Sequence, residues 1–325
     1  MFVYMKMMRK IIVVVIALLI QLGCSTQSSI FPVTPVDVYL NELVDYMEAN
    51  HVNKANINWT EFRANVQQHG KSAAKIADTK ETIEYAFELL DDQTSFLITS
   101  FGQVLSYGAE CSDVDPGEVT GTTEIGYIKI PPFAGTGVSA AVFAEKMHGE
   151  IRDQDKAEIK GWVVDLRKNT GGNMWPMITG IGPLLGNGTA GYFVDSDGTQ
   201  TSFGYSSGSA IYNNEPVITV TKPYSSPLLD GAKIAVLVDQ STTNAAEVVM
   251  IAFSGRSQTR TFGSATCGRA SGNQTFTLSD RSVLYLTTSF LLDRNQVNKQ
   301  GSLVPDEIAS DPSLVFDQAV NWINN

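Results

Sequence analysis

Residues 233–263 read KIAVLVDQSTTNAAEVVMIAFSGRSQTRTFG, and the order of residue types in this stretch decides the fold. Residues 233–239 form a short apolar run rich in β-branched side chains, the pattern of a strand buried on both faces of a mainly parallel sheet. Polar residues 240–243 then turn the chain. Asn244 follows, with Glu247 three residues on and an apolar run at 248–253, which is the start signal of a buried helix with a capping pair. Residue 244 therefore stands where a strand ends and a helix begins, beside free N–H donors and the positive end of the helix dipole. Enzymes that attack carbonyl groups often raise their nucleophile at such a turn. Here the residue is an asparagine.

Working outward, strand and helix patterns alternate. Residues 126–130 predict a strand, 138–151 a helix, 162–166 a strand running into Asn169-Thr170-Gly171-Gly172, and 174–185 are apolar almost throughout. Shorter strands are expected at 191–194 and 217–221, around a Gly/Ser-rich turn at 206–209. Beyond the opening stretch, 274–278 and 283–288 are separated by Ser279-Asp280-Arg281 as in a hairpin, and 313–323 predict a closing amphipathic helix. The alternation predicts an α/β fold with a mainly parallel or mixed sheet covered by helices. Before it, Val36, Leu40, Leu43, Val44 and Met47, then Trp59 and Phe62, then Ile83, Phe87, Leu89 and Leu90 keep helical spacing, which predicts an N-terminal helical cap. The organisation expected is a signal peptide at 1–23, a tether at 24–35, a helical region at 36–99, a connecting loop at 100–123 and an α/β domain at 124–325.

The chain of 325 residues is long enough for a substantial core, and its formal net charge of −11 repels phosphate backbones, so nucleic acid is not an expected partner. At the start, Lys6, Arg9 and Lys10 precede an apolar run at 11–20 and then Leu22-Gly23-Cys24. Such a segment is a targeting signal, too short to span a bilayer comfortably. The Gly-Cys junction resembles the lipobox of bacterial lipoproteins, although Gln21 stands where leucine is preferred. The resemblance implies export, a lipid on Cys24 as the only membrane attachment, and, with Ser25 behind it, a place in the cell envelope at the outer membrane or in the periplasm. Cys111 and Cys267 remain in a compartment that permits disulfides, and the sequence is compatible with a bridge or with two thiols. No Cys/His cluster has metal-ligand spacing and no Gly-rich phosphate loop is present, so neither metal nor cofactor is expected.

Asp165-Leu166-Arg167-Lys168-Asn169-Thr170-Gly171-Gly172 is the second chemical candidate. Paired glycines after a buried strand let the backbone approach a ligand, and successive N–H groups there can hold an oxyanion. Asp165 and Arg167 are expected to hold one another and the turn. Together with VLVDQSTTNAAEVVMIAF, TRTFGSATCGRASGNQTFTLSD, LTTSF and GSLVPDE, this segment resembles, in order and spacing, the peptidase domain of the C-terminal-processing (tail-specific) serine peptidases, over roughly residues 126–307. The helical region resembles their N-terminal bundle, and no PDZ domain is inserted.

The resemblance implies serine-type peptide hydrolysis: attack by a serine, proton removal by a base, and stabilisation of the tetrahedral oxyanion by the amides of Gly171 and Gly172. It places Asn244 at the nucleophile position, three residues before Glu247, with Thr243 beside it. The lysine used as base in the processing branch falls on Arg269, whose guanidinium does not give up its charge. The histidine of the branch without PDZ falls on Thr94, in Asp92-Gln93-Thr94-Ser95. His51, His69 and His148 lie outside that segment and are read as solvated or packing residues. Loss of a triad nucleophile costs about 10⁶ in turnover, roughly 8 kcal/mol, so impaired or absent hydrolysis is expected. Three readings follow: a pseudo-peptidase that still binds an extended peptide or protein C-terminus by strand addition, an active peptidase using Thr243 or Ser241, and a carrier of a small apolar ligand, as in retinoid-binding relatives of the fold. Cys267 is a third substitute nucleophile to consider, with no histidine beside it in sequence.

Overall fold

The computed structural model describes residues 34–325 apart from 109, 113, 114, 116, 118 and 120–122. The signal peptide, Cys24 and nearly all of the tether therefore lie outside the described residues. Helix α1 (Pro35–Asn50) starts at a capping box between Thr34 and Asp37, and α2 (Trp59–His69) and α3 (Lys80–Leu90) follow, as the helical spacing predicts. The next segment departs from expectation. β1 (Phe96–Ile98) and β2 (Val104–Ser106) form an antiparallel hairpin, where the sequence reading ends the helical region and begins a loop.

Strands and helices then alternate: β3 (Ile125–Lys129), α4 (Gly137–Gln154), β4 (Gly161–Asp165) and α5 (Met174–Leu185). A meander comes next, β5 (Gly188–Asp195), β6 (Gln200–Ser206), β7 (Ser209–Tyr212) and β8 (Glu215–Thr219). β9 (Lys233–Val238), α6 (Ala245–Phe253) and β10 (Thr259–Gly263) return to the α/β pattern. β11 (Gly272–Thr277), β12 (Val283–Asp293), the short β13 (Glu307–Ile308) and α7 (Val315–Asn324) complete the order.

The expected α/β architecture is present, divided between two sheets. One is parallel, in the order β13-β10-β9-β4-β3, with β9 at its centre. Side chains alternate across it as a two-residue period requires. Trp162, Val164, Ile234, Val236 and Val238 join the core shared with α5 and α6, whereas Val163, Ala235 and Leu237 face α7 with Val315, Phe316 and Ala319. Burial on both faces explains why β9 reads as an unbroken apolar run.

The other sheet is antiparallel, in the order β2-β1-β12-β5-β6-β7-β8, with β11 also on β12. The helical cap sits on this second sheet: Leu40, Leu43 and Phe87 pack with Leu97, Leu105, Leu284 and Leu286. The apolar faces of α1 and α3 therefore hold the β1–β12 pairing, and with it the segment that carries Thr94.

Candidate active site

At the end of β9 the Asp239 carboxylate accepts the N–H groups of Ser241 and Thr242, each at 2.9 Å, and that of Lys168 at 3.0 Å. Burial pushes this carboxyl upward in pKa, against those donors and the Thr242 hydroxyl. Thr242 Oγ1 donates to the Leu166 carbonyl at 3.0 Å and Thr243 N–H to that of Asn169 at 3.1 Å, so the turn after β9 is laced to the turn after β4. Asn244 then adopts φ 53°, ψ −119°, and α6 begins. This is the strained strand-to-helix elbow that lifts a nucleophile in many hydrolases, and it costs about 1–3 kcal/mol for a side-chain-bearing residue.

Three groups hold the elbow. Asn244 Oδ1 accepts the N–H of Ala245 at 2.7 Å, and the Glu247 carboxylate accepts the N–H of Asn244 at 2.9 Å. Gly171, at φ 89°, packs directly behind: a Cβ there would lie 2.7 Å from Cβ of Asn244 and 3.0 Å from N of Ala245. No side chain fits between the glycine turn and the elbow.

Glu247 is fully buried, 0% exposed, and reaches further. Its two oxygens also accept the Thr266 hydroxyl at 2.5 Å and the N–H groups of Gly268 at 2.6 Å and Arg269 at 2.8 Å. Burial raises its pKa, and these donors work in the opposite direction. One carboxylate thus joins the elbow to the loop that brings Arg269 to the cleft. Cys267 in that loop is bridged to Cys111, Cα to Cα 5.5 Å, which settles the alternative that the sequence leaves open and removes the Cys267 thiol as a nucleophile.

Thr94 approaches from the other sheet. The Asp92 carboxylate accepts the backbone N–H of Thr94 at 2.8 Å and its hydroxyl at 2.6 Å, the Ser95 hydroxyl at 2.5 Å, and Nε2–H of His51 at 3.2 Å. Burial opposes charge on Asp92, but the bonds from His51, Ser95 and Thr94 prevail and hold its carboxyl far below the usual range. Such a carboxylate is too weak a base to activate the threonine. His51 is buried in this pair, so it is neither solvated nor a simple packing residue; the sequence reading missed its partner, 41 residues away. His148 packs as expected: it accepts Tyr224 N–H at 3.0 Å and meets the Thr179 carbonyl at 2.9 Å, and burial pushes its pKa down. His69 is exposed and stacks on Tyr85 at 4.4 Å.

In the glycine turn, Asp165 and Arg167 are both buried and pair at 2.7 and 2.9 Å, holding the strand end as expected. The N–H of Gly171 donates to Asn169 Oδ1 at 2.9 Å and is thereby engaged. Gly172, at φ 117°, sits so close to Phe133 that a Cβ would fall 2.3 Å from its carbonyl oxygen. Thr94, Gly172, Thr243, Asn244, Ala245 and Arg269 all line one cleft of about 830 Å³. Ser241 is not among its lining residues, and its hydroxyl donates to the Ser112 carbonyl at 2.9 Å. Thr243, 7% exposed, belongs to the lining, and its Oγ1 is buried without a hydrogen-bond partner among the described residues. Trp175, Phe193 and Tyr212 form an aromatic wall at 5.6–6.4 Å centroid spacing, which no sequence period announced. Among the described residues that line the cleft, Arg269 alone is charged and none is histidine, lysine, aspartate or glutamate.

A central parallel strand that delivers residue 244 on a strained turn, against paired glycines and beneath a long cleft, defines the framework of a serine peptidase. Residues 124–309 match peptidase family S41, and the chain belongs to that family. It is 28% identical over 269 residues to the nisin-resistance protein of Lactococcus lactis subsp. lactis, covering 82% of this chain and 80% of that one. It is 26% identical over 255 residues to a carboxyl-terminal-processing protease of Synechocystis sp., covering 76% of this chain and 52% of the relative. Among solved structures, a lipoprotein from Streptococcus agalactiae superposes with a TM-score of 0.68 at 22% identity, over 91% of this chain and 98% of the other. The photosystem II D1 C-terminal processing protease superposes with a TM-score of 0.54 at 15% identity, over 86% and 94%. The expected family and fold are thus both found.

Proposed function

We propose that this chain is an exported, lipid-anchored member of the family whose cleft binds an extended peptide or protein C-terminus, and in which hydrolysis is lost or severely impaired. The observation that carries the reading is at the elbow: the seat of the attacking hydroxyl holds a carboxamide, whose Oδ1 takes the Ala245 N–H for itself. An amide oxygen is no acyl nucleophile, and the N–H it occupies is the donor a tetrahedral oxyanion would otherwise meet. Thr94 stands in the place of the base and Arg269 in that of the lysine, and neither takes a proton near neutral pH. Export and the envelope location rest on the signal segment and Cys24, in line with the similarity to a streptococcal lipoprotein.

A second reading draws on the orphaned, buried hydroxyl of Thr243, a residue of the cleft lining. No histidine, lysine or carboxylate lines the cleft to serve it as a base among the described residues, so the first reading stands ahead.

Peptide hydrolysis compared across the native chain, Asn244→Ser, and Asn244→Ser with Thr94→His tests both. The expected outcome is no turnover in the native chain and measurable turnover only in the double variant, with binding of extended peptides by the native chain measured in parallel. Native turnover that disappears in Thr243→Val would replace the first reading by the second.

A further inference from the structure

The elbow angles have a chemical consequence for Asn244 itself. In an L-residue Cβ lies about 120° from the backbone nitrogen around Cα, so a ψ near −120° eclipses the Cα–Cβ bond with the bond to the next nitrogen. Asn244 has ψ −119°. Ordinary helical and extended values, ψ about −42° and +135°, keep Cβ well away from that nitrogen. Closure of a succinimide ring from an asparagine requires this eclipsed arrangement, because N of the following residue, the backbone carbonyl carbon, Cα, Cβ and Cγ must become coplanar. The side chain is already folded to suit, with Oδ1 2.7 Å from N of Ala245. Gly171 packs against the pair so closely that a Cβ there would lie 2.7 Å from Cβ of Asn244, and the side chain is half-buried on the wall of the cleft, where water reaches it.

We infer that Asn244 is a site of backbone-assisted deamidation, held by the fold close to the geometry of attack. The Ala245 nitrogen loses its proton to hydroxide and bonds to Cγ; the Cγ–Nδ2 bond breaks and Nδ2, taking a proton from water, leaves as ammonia. A second water then opens the succinimide. Opening at Cγ leaves aspartate at 244 in a normal chain, and opening at the backbone carbonyl leaves isoaspartate. The fold that holds a side chain ready to attack a substrate here holds one ready to be attacked. The product carries a carboxylate in the seat of the missing nucleophile, within a cleft wall that otherwise bears only the charge of Arg269 among the described residues.

The test follows the intact, disulfide-bonded chain in ¹⁸O-labelled water at mildly alkaline pH, beside the same chain unfolded and reduced. Peptide mapping by mass spectrometry reads amide-to-acid conversion with label uptake, and hydroxylamine cleavage after residue 244 reads the ring. Pre-organised reacting groups should make conversion at Asn244 more than about tenfold faster in the folded chain. Asn187, exposed and followed by Gly188, which offers the attacking nitrogen no side chain, reports that the conditions sustain the reaction. Gly171→Ala should slow conversion by displacing the elbow, and the folded-against-unfolded comparison needs no variant. An Asn244 that keeps its amide while Asn187 converts, or that converts no faster folded than unfolded, overturns the proposal.

Discussion

Asn244 meets opposing demands. Its φ of 53° with ψ −119° lies outside the regions that side chains favour, while its Oδ1 bond to Ala245 and the Glu247 bond to its N–H stabilise the helix start. Glycine relaxes the first demand, and glycine at an N-cap costs only a few tenths of a kcal/mol relative to asparagine. Strain of about 1–3 kcal/mol therefore outweighs the lost cap, and Asn244→Gly should raise unfolding stability by about 1 kcal/mol. Asn244→Ala keeps the strain, loses the cap and should lower stability by about 1 kcal/mol. Urea titration of the three chains decides it; equal losses in both variants would mean that the elbow is unstrained. Asn244→Ser is the informative contrast for chemistry, since a hydroxyl in place of the carboxamide releases the Ala245 N–H toward the cleft.

Among the elements, the 266–269 loop depends most on long-range ties. Cys267 is bridged to Cys111 across a separation of 156 residues, and its N–H donates to the Thr242 carbonyl at 3.0 Å. Replacing both cysteines by serine should cost about 3 kcal/mol, and it should also weaken peptide binding, because the same loop presents Arg269 to the cleft. Treatment of the native chain with reductant should reproduce both effects; unchanged peptide affinity would place the loop outside the binding surface. This tie was half legible, because two cysteines in an exported chain permit a bridge without requiring one. The β9–elbow–α6 unit was fully legible: its strand and helix are buried almost throughout and a polar turn separates them, so each wrote an unambiguous pattern. The β1–β2 hairpin was not, since each strand has three residues and buries a single leucine, Leu97 or Leu105, which is too little for a period. The His51–Asp92 pair left no local trace either, as it exists only where the end of α1 meets the turn between α3 and β1. Strands β6 and β7 escaped for a similar reason: the run of buried residues Phe203, Gly204 and Tyr205 breaks the two-residue alternation.

At the scale of the whole molecule, buried carboxylates of opposite acid response stand behind the two sides of the cleft. Asp92, on the side of the helical cap, has a folded-state pKa below its unfolded value of 3.8, so its contribution is complete above that pH and is lost as pH falls through the folded value. Glu247 and Asp239, on the side of the elbow, have folded-state values above 4.5 and 3.8, so theirs is complete below those values and is lost as pH rises through the folded ones. Asp92→Asn takes the carboxylate acceptor from His51, Thr94 and Ser95 and should cost about 2 kcal/mol at neutral pH, a penalty that shrinks below pH 3.8 as the carboxyl of the unfolded native chain protonates while the folded one stays charged. Glu247→Gln turns an amide N–H₂ toward groups that are themselves donors and should cost about 2 kcal/mol. That penalty should grow as pH falls from neutral toward 4.5, because the native chain is relieved of a desolvated charge that the variant never carries. Denaturant unfolding of the three chains between pH 3 and 7 compares the slopes. Parallel pH dependence of the two penalties would show that the two sides do not differ in this way, and would sink the assignment of Asp92 as a permanently charged support of Thr94.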